Sequence, residues 1–593
     1  MKKVLFVLMA FGMFGCTKVL DIQPLDRISD AALFKDKNLI EANLLSLYNK
    51  TRFQELGNQE NFRMGNLAGI GGEARPFGDW QDPFIVSFRN WDVSTGAGLF
   101  DYWEYTAIRE INEFIAGVGN STFEQPYKDQ KISEARFLRG FIYHQMVKRF
   151  GGVPIITKVQ SENDPESELF PIRNKEAEVY DFIGKEMDEI APLLPITYPA
   201  NDYGRPTRFA ALALKSRAML YAGTIAKFGT VFADGVTGIP AGEADRYFTA
   251  ALEASQQIMN QPTISLYNKI PSDPARNFGQ LFIDENANPE IIFAVRWDAK
   301  LLKGHSWDNL CTPAGFTSGW NSNFNVFVDF LELFDFQDGG SGVIPRTQFV
   351  ATRTWRADSL FGRRDPRFRA SVYYPECTWQ GKKVFFHSST IYTNASGARV
   401  TSNNETFMIP NSVSAEFPDG FFGRGPARNT QRTGMHLRKR VDESLVPAAG
   451  SQSSTDFIVF RLGEILLNYA EAAFYLNRTE DARAAINQLR RRAGMPDRAT
   501  ITEANIRQER QVELAFEEHR YWDLRRWRIA EQVLHNRRLQ GFDFVYDFDV
   551  KRYRVTLRNA ESQARTFLPR HYYFPLGIDR IADNPNLIEN PLY

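Results

Sequence analysis

Cysteine is scarce in this 593-residue chain, which has Cys16, Cys311 and Cys377 and no CxxC pair. The scarcity argues against a structural zinc site, and a disulfide between Cys311 and Cys377 stays open. An excess of either charge is also missing, because 71 lysines and arginines balance 71 aspartates and glutamates. Without a net field the chain has no general attraction for nucleic acid or an anionic membrane, so we expect no nucleic-acid partner.

Sequence motifs for catalysis are missing as well. The chain contains no HExxH, GxSxG, Walker or EF-hand pattern, which are the usual marks of metal, nucleophile and nucleotide chemistry. We therefore expect no catalytic residue, no metal and no cofactor, and we interpret His144 in FIYHQM as a histidine packed in a helix. A secreted glycosidase remains an alternative, which would need two carboxylates facing each other across a cleft.

Long apolar runs are absent except at the N-terminus, MKKVLFVLMAFGMFGC. Two lysines followed by an apolar run from Val4 to Phe14 are typical of a secretory signal, and the run is too short to span a bilayer. The position of Cys16 directly after Gly15 resembles a bacterial lipobox, which implies lipidation of Cys16, palmitate included. Acyl chains contribute about 0.8 kcal/mol per buried CH₂ and would hold the protein at a membrane. We assign residues 1–15 to the signal peptide and 16–35 to a tether.

Aromatic residues, in contrast, are abundant: 48 Phe, 22 Tyr and 10 Trp make up 13% of the chain. This is more than a helical core needs, and we expect some rings at the surface. Ring faces are good platforms for flat apolar ligand surfaces, including those of sugars.

The amino-acid composition and periodicity of the chain change twice. Helical periodicity covers residues 36–261, including a helix that starts at Pro206 and Thr207 and stops at Gly223. Residues 262–454 are rich in Gly, Pro, Asn, Ser and aromatics, with short strand-like pieces such as EIIFAVRW and FRASVYY. Helices return in 455–593, and small residues on amphipathic helices are typical of tetratricopeptide-type pairs. The sequence predicts a mostly α protein with an irregular, aromatic-rich insertion.

Several motifs occur together along essentially the whole chain. They are DIQPLDRISD, EARFLRGFIYHQMVKRFGGVPII, PTRFAALALKSRAMLYAG, RRDPRF, DFIVFRLGEILLNYAEAAFYLN, INQLRRRAG and the tail FPLGIDRIADNPNLIENPLY. In this order they resemble the SusD/RagB family of outer-membrane lipoproteins. The resemblance is specific because the order of the motifs, more than any one of them, matches the family.

The resemblance implies a mostly α SusD-like fold of tetratricopeptide-type helix pairs, in a lipoprotein of the outer membrane that faces the cell exterior. It also implies binding of a nutrient oligosaccharide and its delivery to a SusC-type TonB-dependent transporter, without hydrolytic activity. Two alternatives stay open. One is a RagB-like peptide binder on the same fold, and the other is a structural lid on the transporter with no ligand affinity of its own.

A charged stretch, IRQERQVELAFEEHRYWDLRRW, has the residue types of an active site but is interpreted as structural. Within a single helix from Glu503 to Trp527, Glu509, Glu513 and Glu517 would share one face and pair with basic residues of other helices. Carboxylates stacked on one helix face do not oppose each other across a cleft, as glycosidase chemistry requires. The RRDPRF segment is interpreted in the same way, as a turn locked by charges.

Loop tryptophans beside polar residues are the candidate ligand contacts. A tryptophan can stack on the C–H face of a sugar while a neighbouring Asp, Asn or Arg binds the hydroxyls, at about 1 kcal/mol per good contact. In the resembled family the ligand-contacting rings come from comparable loops. Strand alternation leaves Trp297 facing either the core or the solvent. The predicted ligand-binding residues are Arg75, Asp79, Trp80, Trp307, Asp308, Trp320 and Asn321.

Overall fold

α-Helices form most of the regular structure in the residues that the computed structural model describes. These are residues 33–53, 66–76, 92–285, 287–313, 322–402, 420–423, 433–445 and 448–593. The predicted Cys16, Asp79, Trp80, Trp320 and Asn321 lie outside these ranges. None of the described helices is both long and apolar enough to cross a membrane. The prediction of a mostly α fold is confirmed.

The helices of the first half begin and end where the sequence provides caps. The Thr207 side chain accepts a hydrogen bond from the Ala210 amide at the start of the helix Arg208–Phe228, and Gly151, with φ of +77°, ends the helix Gln125–Phe150. In chain order these helices are α1 (Lys37–Lys50), α2 (Asn66–Gly71), α3 (Tyr105–Gly119), α4 (Gln125–Phe150), α5 (Glu166–Leu169), α6 (Glu176–Ile190), α7 (Arg208–Phe228), α8 (Ala244–Met259) and α9 (Pro274–Gln280).

The predicted stop of α7 at Gly223 is wrong, because the helix continues to Phe228 and is capped at Gly229. Gly223 serves packing instead. A Cβ atom at this position would lie 2.7 Å from the ring of Phe248 on α8, so only glycine lets the two helices approach this closely.

The second half contains ten helices in the described ranges, and here a predicted long helix is broken. The helix expected from Glu503 to Trp527 ends at Glu513, because Phe516 and Glu518 adopt φ values of +60° and +67°. The helices are α10 (Trp307–Cys311), α11 (Val328–Leu331), α12 (Ala357–Phe361), α13 (Pro366–Ser371), α14 (Leu462–Tyr475), α15 (Thr479–Arg492), α16 (Glu503–Glu513), α17 (Arg520–Arg526), α18 (Ala530–Leu534) and α19 (Ile578–Asp583).

The longer helices form one continuous stack. Each of α3, α4, α6, α7 and α8 packs on the next, and α14 continues the stack by packing on α8, followed by α15. The segment between α8 and α14 is therefore inserted between two neighbouring helices. His144 lies buried in this stack with its ring 5.3 Å from that of Tyr221, as the sequence predicts.

Within the described ranges, strands form four sheets, in the orders β1-β3-β11-β5, β10-β7-β6, β12-β2 and β4-β14-β13-β8-β9. EIIFAVRW contains a strand as predicted, whereas FRASVYY is mainly the end of α13, which Asp365 caps. The strands are β1 (Ala74–Pro76), β2 (Ile291–Val295), β3 (Phe324–Val326), β4 (Thr354–Trp355), β5 (Val372–Tyr373), β6 (Thr378–Trp379), β7 (Lys382–Phe386), β8 (Ser389–Thr393), β9 (Arg399–Ser402), β10 (Gly420–Gly423), β11 (His436–Leu437), β12 (Phe457–Arg461), β13 (Gln540–Asp547) and β14 (Arg552–Asn559).

A buried ionic network joins the insertion to the C-terminal helices. Its centre is Glu513, whose carboxylate accepts hydrogen bonds from Arg461 at 2.7 Å, Arg367 at 2.9 Å and Arg492. Arg461 also donates to Glu290 and Glu517, each at 2.8 Å. The structural interpretation of this stretch is therefore supported, although the break after α16 places Glu517 outside the helix that carries Glu513.

Burial alone would raise the pKa of Glu513, but the guanidinium groups of Arg492, Arg461 and Arg367 outweigh it and hold the pKa well below its ordinary value. The side chain is thus an ion in the folded protein, and each of its arginines would lose a counter-ion if it were removed. Breaking a buried pair by removing one partner costs about 3–5 kcal/mol.

We expect Glu513→Ala to lower the free energy of unfolding by about 3–5 kcal/mol, because three buried guanidinium groups lose a shared counter-ion. Urea unfolding followed by circular dichroism measures the change. Glu480→Ala is the control, since Glu480 is 77% exposed in its pair with Arg483 and should leave the midpoint unchanged. Equal midpoints for the two variants would contradict a structural role for the network.

Candidate ligand-binding site

A large cleft lined by described residues lies between the end of α1, the loop before α7 and strand β2, and has a volume of about 950 Å³. Ligand sites in proteins commonly have volumes of about 300–1,000 Å³. Its lining mixes aromatic rings with polar and basic groups and includes Tyr48, Asn49, Arg52, Phe53, Asn201, Asp202, Tyr203, Arg205, Phe293, Arg296, Trp297 and Lys303.

Two rings give the cleft accessible aromatic surface. Tyr203 is 39% exposed, and the guanidinium carbon of Arg296 lies 4.7 Å from the centre of its ring. Trp297 is half-buried, with its ring edge-on to His305 at 5.4 Å. No described residue accepts a hydrogen bond from the buried Nε1 of Trp297. Because that nitrogen is buried, the ring can contact a ligand through its exposed carbon surface and not through this donor.

Strand pairing positions Arg296 and Trp297 at the end of β2. β2 pairs antiparallel with β12, with Val295 opposite Phe457, so both residues follow the last pair of the ladder. The Nε of Arg296 lies 3.0 Å from the Asp456 carboxylate, which also accepts a hydrogen bond from the Trp297 amide at 3.4 Å. Burial raises the pKa of Asp456 to about 7, with Arg296 opposing the shift.

The loop before α7, on the other side of the cleft from β2, is held in place by Arg205. Its guanidinium group donates to Glu134 at 2.8 Å and to Asp202 at 2.9 Å, and also to Glu41. The hydroxyl of Tyr48 donates to the same Glu134 carboxylate at 2.8 Å. These bonds connect the loop that carries Tyr203 to α1 and α4, so the backbone that positions the Tyr203 ring is held in place.

Three of the predicted ligand-binding residues are buried, and the expectation that they face a ligand is wrong. Arg75 donates from Nε to the Pro76 carbonyl at 2.9 Å. Trp307 is 1% exposed, stacks on Phe324 at 5.6 Å and donates from Nε1 to the Lys439 carbonyl at 2.9 Å.

Asp308, next to Trp307, accepts a hydrogen bond from the Asp442 amide at 2.6 Å, and burial raises the pKa of its carboxyl to about 7. All three side chains therefore make hydrogen bonds inside the protein. The sequence places Trp307 and Asp308 in a loop, but it does not show that the carbonyl of Lys439 and the amide of Asp442 lie against them.

Asp79, Trp80, Trp320 and Asn321 lie outside the described residues, but the positions that flank them are described. Pro76 pairs with Phe324 in the antiparallel β1–β3 ladder. In this register, the chain after Pro76 and the chain before Phe324 attach to the same end of the sheet. The two loop attachments predicted from separate parts of the sequence are therefore neighbours, and binding by these four residues stays a proposal.

Comparison with known proteins places the chain in a family. A family model described as the SusD family matches residues 289–593, and a second, described as starch-binding and associating with the outer membrane, matches residues 89–220. The chain belongs to the SusD family. This confirms the resemblance from which the fold was predicted.

Relatives of known sequence and structure agree with this assignment. A SusD-like protein of Bacteroides ovatus is 22% identical over 527 residues, which cover 86% of this chain and 79% of the relative. A SusD-like crystal structure from Bacteroides fragilis has a TM-score of 0.72 at 24% identity, covering 96% of this chain and all of that one. A SusD-like carbohydrate-binding protein of the same species has a TM-score of 0.67 at 23% identity, covering 94% and 100%. At these identities, the structures establish the shared fold.

Within this SusD-family chain, the sequence missed most of the cleft. Tyr203 stands in a short turn, PANDYGRP, with no periodicity to mark it, and Arg52 follows the end of a helix. For Tyr203, the sequence signal is an aromatic residue among turn-forming residues directly before a capped helix. Strand alternation leaves Trp297 facing either the core or the solvent, and the structure shows that it is partly exposed.

We expect Trp307→Ala to lower the free energy of unfolding by about 3–5 kcal/mol, since it empties a fully buried site and leaves the Lys439 carbonyl without its donor. Tyr203→Ala should lower the free energy of unfolding clearly less, because the Tyr203 ring is already partly exposed to solvent. Urea unfolding of both variants checks this, and a loss for Tyr203→Ala as large as that for Trp307→Ala would contradict the assigned environments.

We expect Asp308 to make stability depend on pH near neutrality. Its carboxyl holds a proton in the folded protein at pH values below about 7, whereas the unfolded chain has released it, so the contribution to stability grows as the pH falls. Relative to Asp308→Asn, the wild type should gain up to about 1.4 kcal/mol per pH unit as the pH falls from about 7 towards about 4, the window between the folded and unfolded pKa values. Urea unfolding across this range measures it, and parallel curves would contradict the buried carboxyl.

Proposed function

We propose that this protein binds an oligosaccharide in the cleft and delivers it to a SusC-type TonB-dependent transporter in the outer membrane. The observation that carries the proposal is the combination of Tyr203 and Trp297 with basic and amide groups in one cleft of about 950 Å³. A sugar presents an apolar C–H face and a rim of hydroxyls, and this lining offers partners for both.

Family membership supports the same function. A matched family model is described as starch-binding and outer-membrane-associated, and one structural relative is described as carbohydrate-binding. Lipidation at Cys16 would tether the protein beside the transporter at the cell surface. A tethered binder of this kind raises the local concentration of ligand at the transporter without chemistry of its own.

The alternatives differ in what the cleft must contain. Among the described residues that line it, the only carboxylate is Asp202, which is bonded to Arg205. Glycosidase chemistry uses two carboxyl groups on opposite sides of the bond, so the described lining favours binding over hydrolysis. Peptide binding keeps support from Arg296 and Lys303 beside the rings, and peptides belong in the same binding panel.

We expect Tyr203→Ala and Trp297→Ala each to weaken glycan binding about five- to tenfold, because each removes one stacking surface. The protein without residues 1–16 is tested by calorimetry against plant, microbial and host oligosaccharides and against peptides. Phe232→Ala is the matched control, since Phe232 is 43% exposed and follows the far end of α7, a helix about 30 Å long, from the cleft.

Glycan binding that both cleft variants retain at full strength would contradict the cleft as the site. Binding of peptides alone would support the RagB-like alternative. Absence of binding to every ligand would contradict the proposed function and favour a lid that acts only with its transporter.

A further inference from the structure

The described lining of the cleft carries a surplus of positive charge. Arg52, Arg205, Arg296 and Lys303 line it, against the single carboxylate of Asp202. What this surplus means depends on how many of these cations are already engaged by protein groups.

Arg205 is fully engaged, with bonds to three carboxylates that include Asp202. The other three keep unused donors. Arg52 donates only from Nη2, to the Asp101 carbonyl and to Glu104, and no described residue accepts from its Nε or Nη1. Among the described residues, the Lys303 ammonium group likewise has no acceptor.

Arg296 is held by one edge. Its Nε contacts Asp456 at 3.0 Å, while its Nη2 lies 3.6 Å from Glu285, beyond hydrogen-bond distance. The two terminal nitrogens therefore have donors that no described residue uses. Burial raises the pKa of Asp456 to about 7, so this carboxyl neutralises the guanidinium group only in part near neutral pH, and burial also raises the pKa of Glu285.

Acceptors are few by comparison. Asp202 is engaged by Arg205, and the remaining side-chain acceptors among the described polar residues of the lining are the amides of Asn49 and Asn201 and the hydroxyls. A neutral sugar hydroxyl both donates and accepts, so a cleft rich in donors leaves the O–H donors of some hydroxyls without an acceptor. A carboxylate or sulfate only accepts, and arginine binds such groups through two parallel N–H donors.

We propose, on the basis of the proposed function, that the glycan bound in this cleft is acidic. Its carboxylate or sulfate groups are bound by Arg296, Lys303 and Arg52, and its sugar rings pack against Tyr203 and Trp297. Arg296 has a double role, since it supports the Tyr203 ring at 4.7 Å and presents its free nitrogens to the ligand.

The test compares oligosaccharides that differ only in charge. Oligogalacturonides and their methyl esters differ in a carboxylate, and sulfated galactan oligosaccharides and their desulfated forms differ in a sulfate. Calorimetry with the protein lacking residues 1–16 should show the acidic member of at least one pair binding about tenfold or more tightly than its neutral partner. The advantage should shrink as NaCl is raised from roughly 0.05 to 0.5 M, since part of the site is exposed to solvent.

Substitutions of basic residues then test whether the preference for acidic oligosaccharides arises in the cleft. Lys303→Ala should reduce the ratio of acidic to neutral affinity at least about threefold, and Lys303→Arg should restore it, because only the charge is needed. Lys303 is exposed and its replacement should not affect folding, whereas Arg296→Gln leaves Asp456 without its counter-ion. Lys185→Ala on α6 is the control, because it removes a cation that is also exposed but lies outside the described lining.

Each outcome bears on a different claim. Equal or tighter binding of the neutral members, still weakened by Tyr203→Ala, would overturn the acidic preference and leave glycan binding in place. An acidic preference that Lys303→Ala and Lys185→Ala alter equally would overturn the assigned cations. Failure of every pair to bind, alongside binding of a neutral oligosaccharide from the wider panel, would overturn the acidic preference alone, whereas failure of the pairs and of the whole panel would contradict the proposed function as well.

Discussion

The carboxylate of Glu513, buried and bonded to three arginines from separate parts of the chain, is the constraint on which the rest of the structure depends. Arg367 comes from the insertion, Arg461 from the strand that leads into α14, and Arg492 from the end of α15. These arginines are held in position, because any one that moved away would leave a buried charge without a counter-ion in a poorly solvated interior. Hydrophobic packing of the helix stack supplies most of the stability, whereas the network fixes where the insertion lies on the stack.

The ionic network is connected to the cleft through the pairing of β2 with β12. Glu290, directly before β2, accepts from Arg461 at 2.8 Å and from Arg492 at 3.1 Å, so the start of β2 belongs to the network. The other end of β2 carries Arg296 and Trp297, which Asp456 holds from the neighbouring strand. A strand anchored at both ends presents the groups that line the cleft with little freedom to lose if a ligand binds there. The candidate binding site and the ionic network thus lie at two ends of the same short strand.

Much of the fold could be predicted from the sequence, because helix periodicity, caps such as Thr207 and the ordered family motifs are local signals. The cleft could not, since its walls join residues near positions 50, 203 and 296, and no local pattern encodes that approach. Tryptophans beside polar residues gave a misleading signal at Trp307, because a loop sequence does not reveal which backbone segments cover it. The break after Glu513 was equally hidden, since Phe516 and Glu518 are residue types that rarely adopt positive φ.

The most direct test of the account is a crystal structure of the protein bound to the oligosaccharide that it binds most tightly. The account predicts sugar rings packed against Tyr203 and Trp297, with the backbone of β2 unchanged and acidic groups within hydrogen-bond distance of Arg296 or Lys303. An oligosaccharide bound elsewhere, with this cleft holding only water, would contradict it.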